Sequence, residues 1–282
     1  MGLQRSEHEA MLACCKRSIS EQYSVTTEHA EAIGVPFTSL QSLHAQMYKR
    51  EILRVDHARK MNVSEYVQQW EAGMSIWSIA RQQNVRYSPY LMARIIVEAM
   101  HTDRRVSEYM KKPELLENER LARDVKYCCE NDNNCSPHMD HIKHSVGIEY
   151  EYLLQCKLQS KGIPFTTEVD LRGQGAYKTP DVYLLVPIAM RDSSGRWQVV
   201  TWIDSKAMYG DPDTFDKEHR AQLAAYIPIP MPLPSRYGPG LVIYWFDFCE
   251  GISTGQDILV AKEFPEDLLW PDGRRHVGEY VP

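Results

Sequence analysis

The chain has 282 residues, 43% hydrophobic and 25% charged, a balance that excludes a disordered or fibrous chain and leaves apolar material for two ordinary domains. Seven cysteines, odd in number and partly in adjacent pairs, do not form a secreted disulfide framework and fit a reducing compartment. The net charge of −6 hides a division: residues 1–112 carry 15 Lys and Arg against 12 Asp and Glu, whereas the remaining 170 carry 17 against 26.

No window approaches a membrane span and the N-terminus lacks the apolar block of a signal peptide, so a soluble intracellular protein is expected. The first 105 residues read as helical. In "VPFTSLQSLHAQMYKREIL", Thr38 or Ser39 caps a helix whose apolar positions are Leu40, Leu43, Met47 and Ile52. Its continuation carries Lys49, Arg50, Arg54, Arg59 and Lys60 against Glu51 and Asp56, which suits phosphate contact; a solvated helix face reads the same way.

From Met74 to Met100, a short apolar stripe (Ile76, Ile79, Ala80), a turn at Asn84, and a Ser88-Pro89 helix start read as a helix-turn-helix. Tyr87, Ser88, Tyr90 and Arg94 then lie on the leading part of the recognition helix, although a helical hairpin that never meets DNA has the same pattern. Residues 111–145 read as a helical linker. Their Cys129-x5-Cys135-x2-His138-x2-His141-x2-His144 spacing matches no usual zinc arrangement, so a loop followed by a helix from Ser136-Pro137 is expected.

After Gly147, "IEYEYLLQCKLQSKG" reads as an amphipathic helix stopped by Gly162. Strand-like runs follow: "PFTTEVDL", "DVYLLVPIAM", "WQVVTWIDSKAM" and "PGLVIYWFDF", the last apolar on both faces and therefore central. The expected organisation is a helical domain over 1–110, a linker over 111–145 and an α/β domain over 146–282.

Side chains alternate along a strand, so Asp204 and Lys206 emerge on one face, and Asp181 opens the preceding strand behind Pro180. If the two strands pair, the carboxylates converge on a site for a hard cation such as Mg²⁺ or Mn²⁺, with Lys206 serving a water nucleophile or developing negative charge. The reaction this suits is hydrolysis of a nucleic-acid strand.

Pro180-Asp181 followed by Asp204-x-Lys206 resembles the PD-(D/E)xK nuclease superfamily. "YSPYLMARIIVE", "KTPDVYLLVPIA", "WIDSKAMYGD" and "YGPGLVIYW" extend the resemblance to the TPD-motif nucleases, over roughly residues 20–260. It implies a restriction-endonuclease-like α/β domain behind a helix-turn-helix region, a metal-dependent nuclease, a nuclear and cytoplasmic location, and a codanin-type protein partner. By that resemblance a helix-borne glutamate, Glu149 or Glu151 with Glu151 preferred on spacing, joins Asp181, Asp204 and the Ser205 carbonyl at the metal. Gln222 and Tyr226, four apart on one helical face, match the family's Gln-x3-Tyr element and orient substrate or catalytic groups. A nuclease-like scaffold for protein and nucleic-acid binding is the alternative. The Pro-rich "IPIPMPLPS" after Tyr226 is longer than the family pattern and reads as a polyproline-like loop.

Overall fold

The computed structural model describes residues 2–60, 62–82, 85–101, 105–192, 194–227, 237–252, 254–255 and 257–276. Asn84 and the Pro-rich segment after Ile227 lie outside the described residues. The helices are α1 (Arg5–Glu21), α2 (Thr27–Ile33), α3 (Phe37–Lys60), α4 (Val63–Glu71), α5 (Ile76–Ala80), α6 (Pro89–Met100) and α7 (Val106–Lys111). They continue with α8 (Glu119–Asn131), α9 (Pro137–Ser160), α10 (Glu168–Gly173), α11 (Pro212–Thr214) and α12 (Arg220–Ala224). Among the described residues no helix is long and apolar enough to cross a membrane.

Contacts divide the chain into two units, one from Cys15–Ser24 and His44–Ser145, the other from Met1–Cys14, Val25–Leu43 and Val146–Pro282. The first is helical. Trp70, Ile76, Ile79, Met92, Ile96, Leu121 and Val125 form its core, and α8 supplies Leu121, Val125 and Cys128 at helical spacing. Ser88 caps α6 by accepting the Leu91 N–H at 3.2 Å and donates its own proton to Asp132 Oδ2 at 2.5 Å. Asp132 Oδ1 meanwhile accepts the N–H groups of Asn134 and Cys135, so one buried carboxylate ties the start of α6 to the turn before α9.

The second unit is built on a mixed sheet: β1 (Phe165–Thr167), β2 (Val182–Arg191), β3 (Trp197–Lys206), β4 (Gly240–Tyr244), β5 (Ile258–Ala261), β6 (Leu268–Leu269) and β7 (Arg275–His276). The strand order is β5-β4-β3-β2-β6-β7, with β1 also on β2. The hairpin β2–β3 is antiparallel, whereas β3, β4 and β5 run parallel. β4 is buried at every position, as an interior strand covered on both faces must be. Leu154 and Leu158 of α9 pack with Val182, Ile188, Val200, Ile203, Leu241 and Ile243, so the helix that carries Glu151 is seated on the sheet. The chain's beginning belongs here as well: Leu3 donates its N–H to the Phe248 carbonyl and accepts from Glu250 N–H, both at 2.8 Å.

Two local expectations are corrected. Glu168 to Leu171, expected to extend a strand, are helical, because Thr167 and Asp170 form a reciprocal capping box that starts α10 after three residues of β1. Gly147 does not begin a new helix: α9 runs unbroken through it and stops where Gly162, at φ 65°, lets Ile163 N–H reach back to the Leu158 carbonyl.

Candidate active site

In the hairpin, Val182 faces Ile203 and Tyr183 faces Trp202, a register that carries Asp181 opposite Asp204. Opposite residues of an antiparallel pair share a face, and Lys206, two positions beyond Asp204, returns to it. Asp181 Oδ2 accepts the Ser205 N–H at 2.6 Å. Asp204 is 0% exposed, and Lys206 Nζ lies 2.6 Å from its Oδ2. That approach is an ion pair without hydrogen-bond direction: neither oxygen of Asp204 accepts a hydrogen bond from the described residues.

The electrostatics follow from this crowding. Burial, reinforced by the neighbouring Asp204 charge, holds the Asp181 carboxyl well above its ordinary range, while Lys206 and the Ser205 N–H pull it partly back. Burial alone would lower Lys206; the Asp204 carboxylate outweighs it, so the ammonium is held above its usual value. Glu151 acts on both groups from α9, half-buried, whereas Glu149 on the same helix is exposed.

A chain of donors fixes the lysine from its other side. Lys206 Nζ donates to Gln222 Oε1 (3.3 Å), Gln222 Nε2 to Tyr226 Oη (2.9 Å), and Tyr226 Oη to the Thr179 carbonyl (2.9 Å). Thr179 is held in turn by its hydroxyl on Glu168, which pairs with Arg172 at 2.6 Å. The chain therefore closes two residues before Asp181, so the carboxylate end and the lysine end of the site share one frame. Trp245 Nε1 donates to Ser205 Oγ at 2.8 Å, tying β3 to the residue after β4.

His219 joins this site without having been singled out in the sequence. A π-helical turn over Phe215–His219 precedes α12, and such widened turns concentrate at functional sites. It brings His219 inward, where its Nδ1 lies 2.8 Å from Tyr244 Oη. Burial, then the nearby Lys206 charge, pushes its pKa down to about 4, with Asp204 opposing. The available signal was its place three residues before Gln222, on the same side of a helix.

The sign of the linkage is fixed by that shift. Because the folded value lies below the unfolded one, near 6.5, the stability held by neutral His219 is complete above about pH 6.5 and is lost as pH falls through about 4. In EDTA, wild type is expected to lose on the order of 3 kcal/mol more than His219→Asn across that window in urea unfolding. Parallel pH curves for the two proteins would remove the assignment.

The other sequence candidates fall in the helical unit and are not gathered there. Tyr87 and Ser88 are buried, their hydroxyls engaged by Asp56 and Asp132. Tyr90 and Arg50 are half-buried, and Lys49 and Arg94 are exposed. None of the seven cysteines forms a disulfide, and among the described residues no three His, Cys, Asp or Glu side chains are gathered closely enough to hold a metal by themselves. The carboxylate site nevertheless fits a hard cation that keeps water or phosphate ligands: it offers oxygen donors from two carboxylates, and Asp204 has both oxygens without a hydrogen-bond donor in a buried position.

A mixed sheet with a buried carboxylate–lysine pair opposite a second carboxylate defines an α/β protein whose chemistry is gathered at the start of one hairpin. The family model described as "Protein of unknown function TPD sequence-motif" matches residues 117–264, a span that contains Thr179-Pro180-Asp181. Curated relatives named CDAN1-interacting nuclease 1 match most of the chain. The Danio rerio protein is 32% identical over 286 residues, covering 94% of this chain and 90% of its own. The Xenopus tropicalis protein is 31% identical over 273 residues (90% and 83%), and the Homo sapiens protein 30% over 248 (82% and 84%). The chain belongs to this TPD-motif family of CDAN1-interacting nucleases. No solved structure matches it.

Proposed function

We propose that this protein is a metal-dependent nuclease of the PD-(D/E)xK type that hydrolyses phosphodiester bonds of nucleic acid and acts with a CDAN1-like partner. The observation that carries the reading is the crowding at Asp204: this buried carboxylate, 2.6 Å from Lys206, stands opposite a second carboxylate, Asp181, so one lysine faces two acids and a bound cation would offset the remaining negative charge. Asp181, Asp204 and the Ser205 carbonyl, with Glu151 beside them, would hold Mg²⁺ or Mn²⁺. Bound there, the ion would polarise a phosphodiester oxygen and acidify a water.

The residues of the chain do the rest. Lys206, kept charged by Asp204, orients the attacking water or meets negative charge developing on the phosphate. Gln222 and Tyr226 keep Nζ from wandering, and neutral His219 supports the same wall through Tyr244. The names of the relatives support both halves of the reading, nuclease and partner.

The test is a panel of labelled single-stranded, duplex and branched DNA and RNA, incubated with Mg²⁺, Mn²⁺ or EDTA beside Asp204→Asn. Cleavage is expected to need the metal and to vanish in the variant. In the same preparations, Mg²⁺ at a hundredfold excess over its Kd is expected to stabilise wild type by about 2.7 kcal/mol and the variant far less. Equal inertness of both proteins, with nucleic acid still bound and no metal-dependent stabilisation, would replace the enzyme by a nuclease-like scaffold.

A further inference from the structure

The helical unit contains a cavity of about 810 Å³ in which the carboxylate site has no part. Lys16, Arg81 and Arg86 supply cations to its wall, and Tyr48, Trp77 and Tyr127 supply rings. Two of the rings reach the open: Trp77 is half-buried, Tyr127 is 52% exposed, and the pair meets edge to face at 5.3 Å. Rings and cations on one wall are the two elements on which a base stacks and a phosphate rests.

The two arginines are held without being neutralised. Arg81 Nη2 donates to the Gln22 carbonyl at 2.8 Å and its guanidinium lies 5.5 Å from the Trp77 ring centre. Arg86 Nη1 reaches Ser20 Oγ at 3.5 Å. Both acceptors are neutral. The acids on the same wall are already committed, Glu51 to Arg54 at 2.7 Å and Asp132 to Ser88 and three backbone N–H groups. Among the described residues, none of the three cations pairs with a carboxylate.

The backbone adds a separate indication. Arg86, on the cavity wall, sits in the left-handed region at φ 45°, where a side chain is strained and glycine is the usual occupant, whereas Gln22 at φ 59° is the ordinary left-handed end of α1, with Tyr23 N–H on the Ser18 carbonyl. Arg86 is held there by two backbone hydrogen bonds of 2.9 Å, its own N–H on the Gln82 carbonyl and the Tyr87 N–H on the Ala80 carbonyl. Retained strain of this kind concentrates where side chains must be aimed.

We propose that this cavity binds a nucleotide, with its base against Trp77 and Tyr127 and its phosphate at Lys16, Arg81 and Arg86. A ring face accepts any base, and guanidinium forks match phosphate oxygens, so the site takes a nucleoside phosphate with little sequence preference. That chemistry is common to a free mononucleotide and to one nucleotide of a single strand.

The experiment uses the whole protein in EDTA. Binding of a labelled oligothymidylate is followed by fluorescence anisotropy, and binding of AMP by calorimetry. Wild type is expected to bind the strand with an affinity that falls with salt. Trp77→Leu and Lys16→Glu should each weaken it by about tenfold, and Arg81→Ala/Arg86→Ala by more. Lys16 is exposed, so an unchanged unfolding curve for Lys16→Glu separates lost binding from lost folding. AMP binding that responds to the same variants assigns the site to free nucleotides as well; strand binding alone assigns it to strands. Absence of both, or binding that the variants leave intact, overturns the proposal. Because cleavage plays no part in this readout, a protein that binds but never cuts leaves the cavity assigned while the nuclease reading fails, and the reverse result separates them equally well.

Discussion

Lys206→Met is expected to lower strand cleavage by about 10²–10³-fold, the usual loss when a group aimed at developing charge is removed. It should also destabilise the fold. Asp204 is 0% exposed and its oxygens accept no hydrogen bond, so Lys206 Nζ at 2.6 Å is the charge that makes its burial tolerable. Breaking a buried pair from one side costs about 3–5 kcal/mol, because the remaining charge is stranded and must take up a proton. Asp204→Asn is milder, since Lys206 is left 16% exposed with Gln222 Oε1 still at 3.3 Å. Asp204→Asn/Lys206→Met removes both charges and should recover much of the stability lost by Lys206→Met while remaining inactive. Urea unfolding in EDTA, beside a Mn²⁺ cleavage assay, completes the cycle. A Lys206→Met protein as stable as wild type would show that the pair is not coupled, and one that still cuts at the wild-type rate would show that Lys206 is not catalytic.

Gly240→Ala is the second large effect, and it acts through packing. Gly240 lies beside Trp202 in the parallel β3–β4 register, and a Cβ there would stand 2.0, 2.2 and 2.4 Å from three indole carbons. The ring cannot yield. It is fully buried, its Nε1 donates to the Gly238 carbonyl at 2.7 Å, and it meets Tyr226 edge to face at 5.0 Å. Overpacking a rigid core typically costs about 1–3 kcal/mol, and a clash this close belongs at or above the top of that range. Any shift of Trp202 moves Tyr226, hence Gln222 and Lys206, so remaining folded protein should also cut more slowly. A substitution that leaves both the melting temperature and the cleavage rate unchanged would sever the proposed mechanical link between sheet core and site.

What the sequence disclosed and what it withheld divide along physical lines. Strand alternation is local, so the common face of Asp204 and Lys206 could be read directly, and the short link between their strand and that of Asp181 implied a hairpin. Helical spacing likewise put Gln222 and Tyr226 on one side, where they now hold each other. Short-range competition was harder to see. Thr167 and Asp170 turn a β-like run into a helix through two side-chain hydrogen bonds, and Gly147 passes unnoticed inside α9. The two-residue strands β6 and β7 are too short to show periodicity, and β5 at four is little better. Tyr87 and Ser88 looked like surface residues of a recognition helix because Asp56 and Asp132, which bury them, lie 31 and 44 positions away. His219 was hidden for a similar reason: its partner Tyr244 is 25 residues on, and the π-helical turn that aims it has no sequence signature of its own.

The pairing of Leu3 beside Cys249 has a consequence for how the protein comes into being. On the ribosome the α/β unit cannot close until residue 249 has emerged, because its opening residues must wait for a partner nearly the whole chain away. The helical unit, complete by Ser145, can be finished long before. During that interval Leu3 and the rest of 1–14 and 25–43 are left without the unit they belong to. A fragment started at Val146 would carry every residue of the carboxylate site and still lack two pieces of its own fold.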